Sequence, residues 1–126
     1  MVRILLVDDD RDILEIMRLD LEDDRANTVD TAHTAADALE KVRNTQYDAI
    51  ITDWRMPGMN GTDLIRKLRE DGCASFIILY SGYNISPDIR TALECGADHY
   101  LHRGGDPEVE FAELHRMIKT RANKRP

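Results

Sequence analysis

Five short strand-like segments alternate with longer amphipathic segments along this chain, and that alternation limits the possible folds more than any other feature. The strand-like segments are 2–7, 28–32, 48–53, 76–80 and 99–102. The segments that follow them place apolar residues at helical spacing, as Leu14, Met17 and Leu21 do after the first strand. Strict alternation of strands and helices predicts an α/β fold, in which helices cover both faces of a parallel sheet.

Capping residues mark where the predicted helices begin and end. The helices are expected over about 10–23, 34–44, 62–71, 86–95 and 106–118. Thr34, followed by Asp37 three residues later, resembles a capping box. Ser86 and Asp106 each precede a proline, which is the pattern of a cap followed by proline at the first helical position. Gly72 closes the third helix.

The composition indicates one acidic domain without a membrane segment. The chain has 126 residues, 42% hydrophobic and 33% charged, which suits a single core. No apolar segment approaches the ~20 residues that cross a bilayer, and the first residues run straight into a strand, so we predict a cytoplasmic protein without membrane contact. The net charge of −7 argues against direct nucleic-acid binding. The basic tail at 123–126 complements the dipole of the last helix.

Polar side chains stand at the carboxyl ends of four predicted strands. They are Asp8, Asp9 and Asp10 after the first strand, Asp53 after the third, Ser81 after the fourth and Arg103 after the fifth. Such sheets bind ligands outside the carboxyl ends of their strands, at the point where the strand order reverses. We therefore expect carboxylates, one hydroxyl and one cation to converge on a single crevice.

Clustered carboxylates need a compensating charge, because adjacent anions ~4 Å apart repel by roughly 4 kcal/mol at an effective dielectric near 20. Asp10 stands where the first helix begins, so helix capping explains it. Asp8, Asp9 and Asp53 remain, and oxygen ligands without nearby His or Cys suit Mg²⁺. A carboxylate beside a cation, a hydroxyl and a guanidinium is also equipped for phosphoryl transfer. A solvated acidic rim is the alternative interpretation.

Four segments of the chain resemble the receiver domain of two-component response regulators. They read ILLVDDD, ITDWRMPGMNGTDLI, ILYSGY and GADHYLHRGG. The most specific is the run from Asp53 to Gly61, which matches D-x-x-M-P-x-M-x-G after an apolar strand. The resemblance implies a flavodoxin-like, doubly wound (βα)5 receiver domain over residues 1–122, with strand order 2-1-3-4-5.

For the site, the resemblance implies that Asp53 accepts a phosphoryl group from a sensor histidine kinase or a phosphotransfer protein. Asp8 and Asp9 are expected to hold Mg²⁺ together with Asp53 and the backbone carbonyl of Arg55. Ser81 matches the residue that bonds the phosphoryl oxygen when the domain switches. These roles describe a signalling module that modifies itself, and not an enzyme that turns over a substrate.

The resemblance also implies a switch surface. Tyr100 matches the aromatic switch residue, whose rotamer reports the bond to Ser81 on the face formed by the fourth helix, the fifth strand and the fifth helix. A dimer through the fourth and fifth helices is a further implied partner. Arg55 and Tyr83 match positions that flank the phosphoryl group and tune its hydrolysis, although a surface charge is an equal interpretation of Arg55.

The chain departs from the family after the fifth strand. The family usually has Lys-Pro there, with a cis peptide bond, whereas this chain reads His102-Arg103-Gly104-Gly105. Arginine keeps the positive charge but has a wider, planar fork, and the two glycines supply backbone freedom in place of the proline. Two outcomes stay open for Arg103: it contacts the acyl phosphate with both nitrogens, or it turns to solvent.

Three alternatives to a phosphorylated switch follow from the same residues. A degenerate receiver would fold alike and act by protein contact without phosphorylation; Arg103 favours it, and the intact acidic residues and Ser81 oppose it. A phosphohydrolase with an Asp-x-Asp pair is weak, because Trp54 and Arg55 follow Asp53. A flavin-binding module is weaker, because no phosphate-binding loop rich in Ser and Thr follows the first strand.

Overall fold

The computed structural model describes residues 1–82 and 93–123 of the chain, and its centre is a parallel sheet of five strands. The strands are β1 (Val2–Val7), β2 (Asn27–Ala32), β3 (Ala49–Thr52), β4 (Phe76–Ser81) and β5 (His99–His102). Their order is β2-β1-β3-β4-β5, and every neighbouring pair is parallel. The predicted flavodoxin-like order, with its reversal between β1 and β3, is therefore confirmed.

Helices connect the strands in the alternation that the sequence predicts. The described residues include α1 (Arg11–Glu22), α2 (Ala35–Asn44), α3 (Gly61–Glu70) and α4 (Pro107–Asn123). The helix predicted from Ser86 falls largely on residues 83–92, which lie outside the described residues. No helix in the described part of the chain is long and apolar enough to span a membrane.

Side-chain caps hold the helix N-termini, as the capping pattern predicts. Asp10 Oδ1 accepts hydrogen bonds from the backbone N–H groups of Asp12 at 3.0 Å and Ile13 at 3.3 Å, so its carboxylate serves α1. Thr34 caps α2. The predicted start of α3 at Thr62 is wrong by one residue, because the Asn60 side chain caps the helix and Gly61 is already helical.

The sheet separates two apolar layers. On one face, Leu5 and Val7 pack with residues of α2 and α3. On the other, Ile4 and Leu6 pack with residues of α1 and α4. Side chains of a strand point to alternate faces, so the continuous apolar run of β1 supplies both layers. At the end of β4 the same alternation places Tyr80 on the α1 and α4 side.

Candidate functional site

The register of the central strands brings Asp8 and Asp53 side by side. Val7 pairs with Thr52 in the parallel ladder, and the next residue of each strand is an aspartate. The Asp53 N–H donates to the carbonyl oxygen of Val7 at 2.9 Å, which ties the two strand ends together. Both carboxylates are largely buried, with Asp8 4% and Asp53 7% exposed.

Asp9 completes an acidic cluster with these two residues. One carboxylate oxygen from each of Asp8, Asp9 and Asp53 lies within 4.8 Å of the others, whereas Asp10 caps α1. Burial, reinforced by the negative charge of Asp53, raises the pKa of Asp8 to about 6. The hydrogen bonds that Asp8 accepts from Asp10 and Arg103 oppose this rise without cancelling it.

Arg103 turns into this cluster and not to solvent. Its Nη1 donates to Asp8 Oδ2 at 3.0 Å, and its Nη2 lies 3.5 Å from Asp53 Oδ2. Burial lowers the pKa of the guanidinium, but the hydrogen bond to Asp8 and the charge of Asp53 outweigh it and raise the pKa overall. One cation thus bridges two buried carboxylates, and a charged donor stands beside the predicted acceptor.

The loop after β3 holds Asp53 by local contacts. The Gly61 N–H donates to the carbonyl oxygen of Trp54 at 2.6 Å, and Trp54 Nε1 donates to Thr62 Oγ1 at 3.0 Å. A Cβ at position 61 would lie 2.3 Å from the carbonyl oxygen of Asp53, so only glycine fits this close approach. Asp53 Oδ1 in turn accepts from the Trp54 N–H at 2.8 Å.

An open crevice of about 330 Å³ borders two residues of the acidic cluster. It is lined by Asp9, Asp53, Arg55, Met56 and Pro57. Arg55, predicted as a carbonyl ligand and as a tuning residue, therefore borders the same space as Asp53, the predicted acceptor. Its two roles remain predictions.

The predicted switch residues lie at the next strands along the sheet. Ser81 is the last residue of β4 and is fully buried, and its carbonyl oxygen accepts from the Arg103 N–H at 2.7 Å. Tyr100 packs against the apolar layer of α2 and α3, with its hydroxyl 3.2 Å from His102 Nδ1 and 3.5 Å from the Ser81 carbonyl oxygen. Tyr83, the second predicted tuning residue, lies outside the described residues.

Two residues that sequence reasoning missed, Tyr80 and Glu110, stand directly behind Arg103. The Arg103 guanidinium carbon lies 5.3 Å from the centre of the Tyr80 ring. The Tyr80 hydroxyl donates to Glu110 Oε1 at 2.5 Å, while Glu110 Oε2 accepts from the N–H groups of Gly105 at 2.7 Å and Gly104 at 3.2 Å. The sequence signal for this pair is the hydroxyl of a tyrosine at the end of a buried strand, which needs a hydrogen-bond partner.

The class of protein follows from the fold and the family comparison. The model of the response regulator receiver domain matches residues 4–119, so this chain belongs to the response regulator receiver family. Receiver domains are signalling modules of two-component systems.

Relatives agree with this assignment. Response regulator ArlR of Staphylococcus aureus is 30% identical over 124 residues, which cover 98% of this chain and 56% of ArlR. The chain thus spans about half the length of this curated relative. A CheY-like receiver domain protein from Methanospirillum hungatei has a TM-score of 0.87 and 27% identity, with 99% of both chains covered. TrrA from Thermotoga maritima, solved in complex with Mg²⁺-BeF, has a TM-score of 0.82 and 30% identity over 96% of this chain and 99% of that chain.

Proposed function

We propose that this domain is a phosphorylation-dependent switch that receives a phosphoryl group on Asp53 from a sensor histidine kinase or a phosphotransfer protein. The observation that carries the proposal is the convergence of the Asp8, Asp9 and Asp53 carboxylates with the Arg103 guanidinium at one edge of the sheet. Membership of the receiver family supports the same chemistry.

The donor set fits Mg²⁺. Three carboxylates with oxygens within 4.8 Å of one another provide hard ligands, and the crevice beside Asp9 and Asp53 leaves room for water and phosphate. Asp8, Asp9, Asp53 and the Arg55 carbonyl would hold the ion, which when bound neutralises charge on the phosphoryl oxygens. The complex of the related TrrA with Mg²⁺-BeF supports this assignment.

In the transfer step, an Asp53 carboxylate oxygen attacks the phosphorus of a phosphohistidine on the donor protein. A bond from phosphorus to oxygen forms, the bond from phosphorus to nitrogen breaks, and the imidazole nitrogen takes the electron pair and is protonated from solvent. Arg103 stands 3.5 Å from Asp53 Oδ2 and is placed to neutralise the incoming negative charge. No separate substrate is turned over, because the product is the phosphorylated domain itself.

Switching follows from the groups at the ends of β4 and β5. The Ser81 hydroxyl would donate to a phosphoryl oxygen, and Tyr100, whose hydroxyl lies 3.5 Å from the Ser81 carbonyl oxygen, would report that bond. The surface that receives it would be formed by the helix predicted from Ser86, by β5 and by α4, which is the predicted fifth helix. Partners would bind that surface, including a second copy of the chain through α4 and the helix predicted from Ser86. Arg55 and Tyr83 would tune hydrolysis of the acyl phosphate.

Intact-mass spectrometry after incubation with acetyl phosphate tests the proposal. We expect a Mg²⁺-dependent gain of one phosphoryl group in the unchanged chain and none in Asp53→Asn. Asp30→Asn is the matched control, because Asp30 is an exposed β2 residue whose Tyr47 partner keeps an acceptor oxygen in the amide. Mg²⁺ binding seen by Trp54 fluorescence without any mass gain would instead favour the degenerate receiver.

A further inference from the structure

The segment that carries Arg103 has little to hold it locally. Arg103 is followed by Gly104 and Gly105, and glycine gives up more backbone freedom on ordering than any other residue. The guanidinium is nevertheless placed on two buried carboxylates, with 25% of the side chain exposed. Some other part of the molecule must therefore fix the direction in which Arg103 leaves β5.

Glu110 in the first turns of α4 supplies that restraint on the backbone. Its Oε2 accepts hydrogen bonds from both glycine N–H groups, at 2.7 and 3.2 Å. Glu110 is only 8% exposed although it is charged, and it lies between Val109 and Phe111 on the helix. A buried carboxylate is costly unless its oxygens are satisfied, and here both oxygens have partners.

Tyr80 carries the same restraint to the guanidinium. Its hydroxyl donates to Glu110 Oε1 at 2.5 Å, and Arg103 lies over its ring at 5.3 Å from the centroid. The ring face attracts the cation, and the bond to Glu110 ties this buried ring to α4. On the strand side, the Arg103 N–H donates to the Ser81 carbonyl oxygen at 2.7 Å. Backbone and side chain of Arg103 are thus held from β4 and from α4 together.

We propose that Glu110 is a positioning residue that, through Tyr80 and the Gly104-Gly105 backbone, holds the Arg103 guanidinium over Asp8 and Asp53. Where proline follows the basic residue, the rigid backbone fixes the direction of the basic side chain. Here two glycines follow Arg103, and Glu110 and Tyr80 fix its direction instead. This inference rests on the proposed function, because the position of Arg103 matters only if phosphoryl transfer occurs at Asp53. Glu110 bonds to Tyr80, Gly104 and Gly105, and not to the carboxylates of Asp8 and Asp53.

The test is a double-mutant cycle on the rate of phosphorylation by acetyl phosphate at saturating Mg²⁺. Glu110→Gln keeps the shape but cannot accept from both Tyr80 and the glycines, and Tyr80→Phe removes only the hydroxyl. Because small misplacements of a catalytic group slow reactions strongly, we expect each variant to lose about tenfold in rate. In an Arg103→Ala background the same changes should have no further effect. Glu113→Gln, a change at a partly buried glutamate of the same helix that pairs with Arg116 and not with Tyr80 or the glycines, is the matched control.

A second readout separates failure of this inference from failure of the proposed function. The heteronuclear NOE of the Arg103 Nε–H group reports how rigid the side chain is, with or without phosphorylation. We expect it to fall in Glu110→Gln and in Tyr80→Phe. If the parent chain gains no phosphoryl group but both variants still lower the NOE, the proposed function alone is overturned. An unchanged NOE and rate, or equal slowing in the Arg103→Ala background, would overturn the positioning role.

Discussion

The two loops that border the site are held in opposite ways. The loop after β3 is fixed by its own residues: Gly61 bonds to Trp54, and Trp54 bonds to Thr62. The loop after β5 is fixed by residues from β4 and α4, namely Tyr80 and Glu110. The first loop matches the family motif and the second departs from it. The difference shows that a lost local restraint is replaced here by contacts from elsewhere in the fold.

The largest effect is expected from Gly61→Ala, which breaks the locally held loop. A Cβ there meets the Asp53 carbonyl oxygen at 2.3 Å, and these backbone atoms can yield only if the loop after β3 moves. Overpacking of this kind should cost about 3 kcal/mol in the free energy of unfolding, measured by urea titration. Phosphorylation of Asp53 should fall with it.

Gly58→Ala is the contrast within the same loop. Gly58 has φ +84°, yet a Cβ there meets nothing within 4 Å. Only left-handed strain remains, so we expect a loss of about 1 kcal/mol. Equal losses in the two variants would contradict the close-approach argument.

The next largest effect is expected from Arg103→Ala, which removes the guanidinium that the loop after β5 places on Asp8 and Asp53. Removing a charged donor aimed at the reacting group typically costs about 100-fold in rate, and we expect that loss in acetyl phosphate labelling. Arg103→Lys keeps the charge but cannot bridge Asp8 and Asp53 with two nitrogens. Its labelling rate should therefore lie between those of the parent chain and Arg103→Ala. A lysine variant faster than the parent chain would show that the arginine fork is a hindrance.

The pH dependence of Mg²⁺ binding reports the protonation of Asp8, which lies at the end of β1 and outside both loops. It therefore separates the contribution of the acidic cluster from that of the two loops. With the pKa of Asp8 raised to about 6 by burial and by Asp53, the proton competes with Mg²⁺ below that pH. We expect affinity to fall about tenfold between pH 7 and pH 5, measured by Trp54 fluorescence. Asp9→Asn should weaken binding but keep this pH profile.

The raised pKa of Asp8 also predicts how the stability of the metal-free protein depends on pH. The folded chain binds the Asp8 proton more tightly than an unfolded chain with the ordinary value of 3.8. The contribution of Asp8 to stability without Mg²⁺ should therefore fall as the pH rises from about 4 to about 6, and the cost persists above that window. Asp8→Asn should flatten this part of the curve. Parallel stability curves for the parent chain and Asp8→Asn through this window would refute the raised pKa.

The smallest effect is expected far from both loops. His115 Nε2 lies 3.0 Å from Asp20 Oδ2 and links α4 to α1, with side chains 30% and 40% exposed. Exposed pairs contribute about 0.5 kcal/mol or less, so Asp20→Asn should change thermal unfolding little and phosphorylation not at all. A clear loss of phosphorylation would mean that the placement of α4, and not Glu110 alone, controls Arg103.

Much of the fold was readable because its signals are local. The predicted strand bounds agree with the structure to within one residue, and residue type and spacing identify the caps at Asp10 and Thr34. The predicted start of α3 lies one residue late, because the sequence pattern leaves Gly61 in the loop whereas Asn60 caps a helix that begins at Gly61. Helix ends depend on which of several polar side chains turns back to the N–H groups.

The sequence by itself determined the order of strands and helices and the gathering of Asp8, Asp9 and Asp53, because parallel strands must end at one edge. Only the tertiary structure decided where Arg103 points. Its partner Asp8 is 95 residues away along the chain, and Tyr80 and Glu110 are separated by 30. A long side chain on a glycine-rich segment has no local preference strong enough to orient it, so packing of β4 against α4 sets its direction.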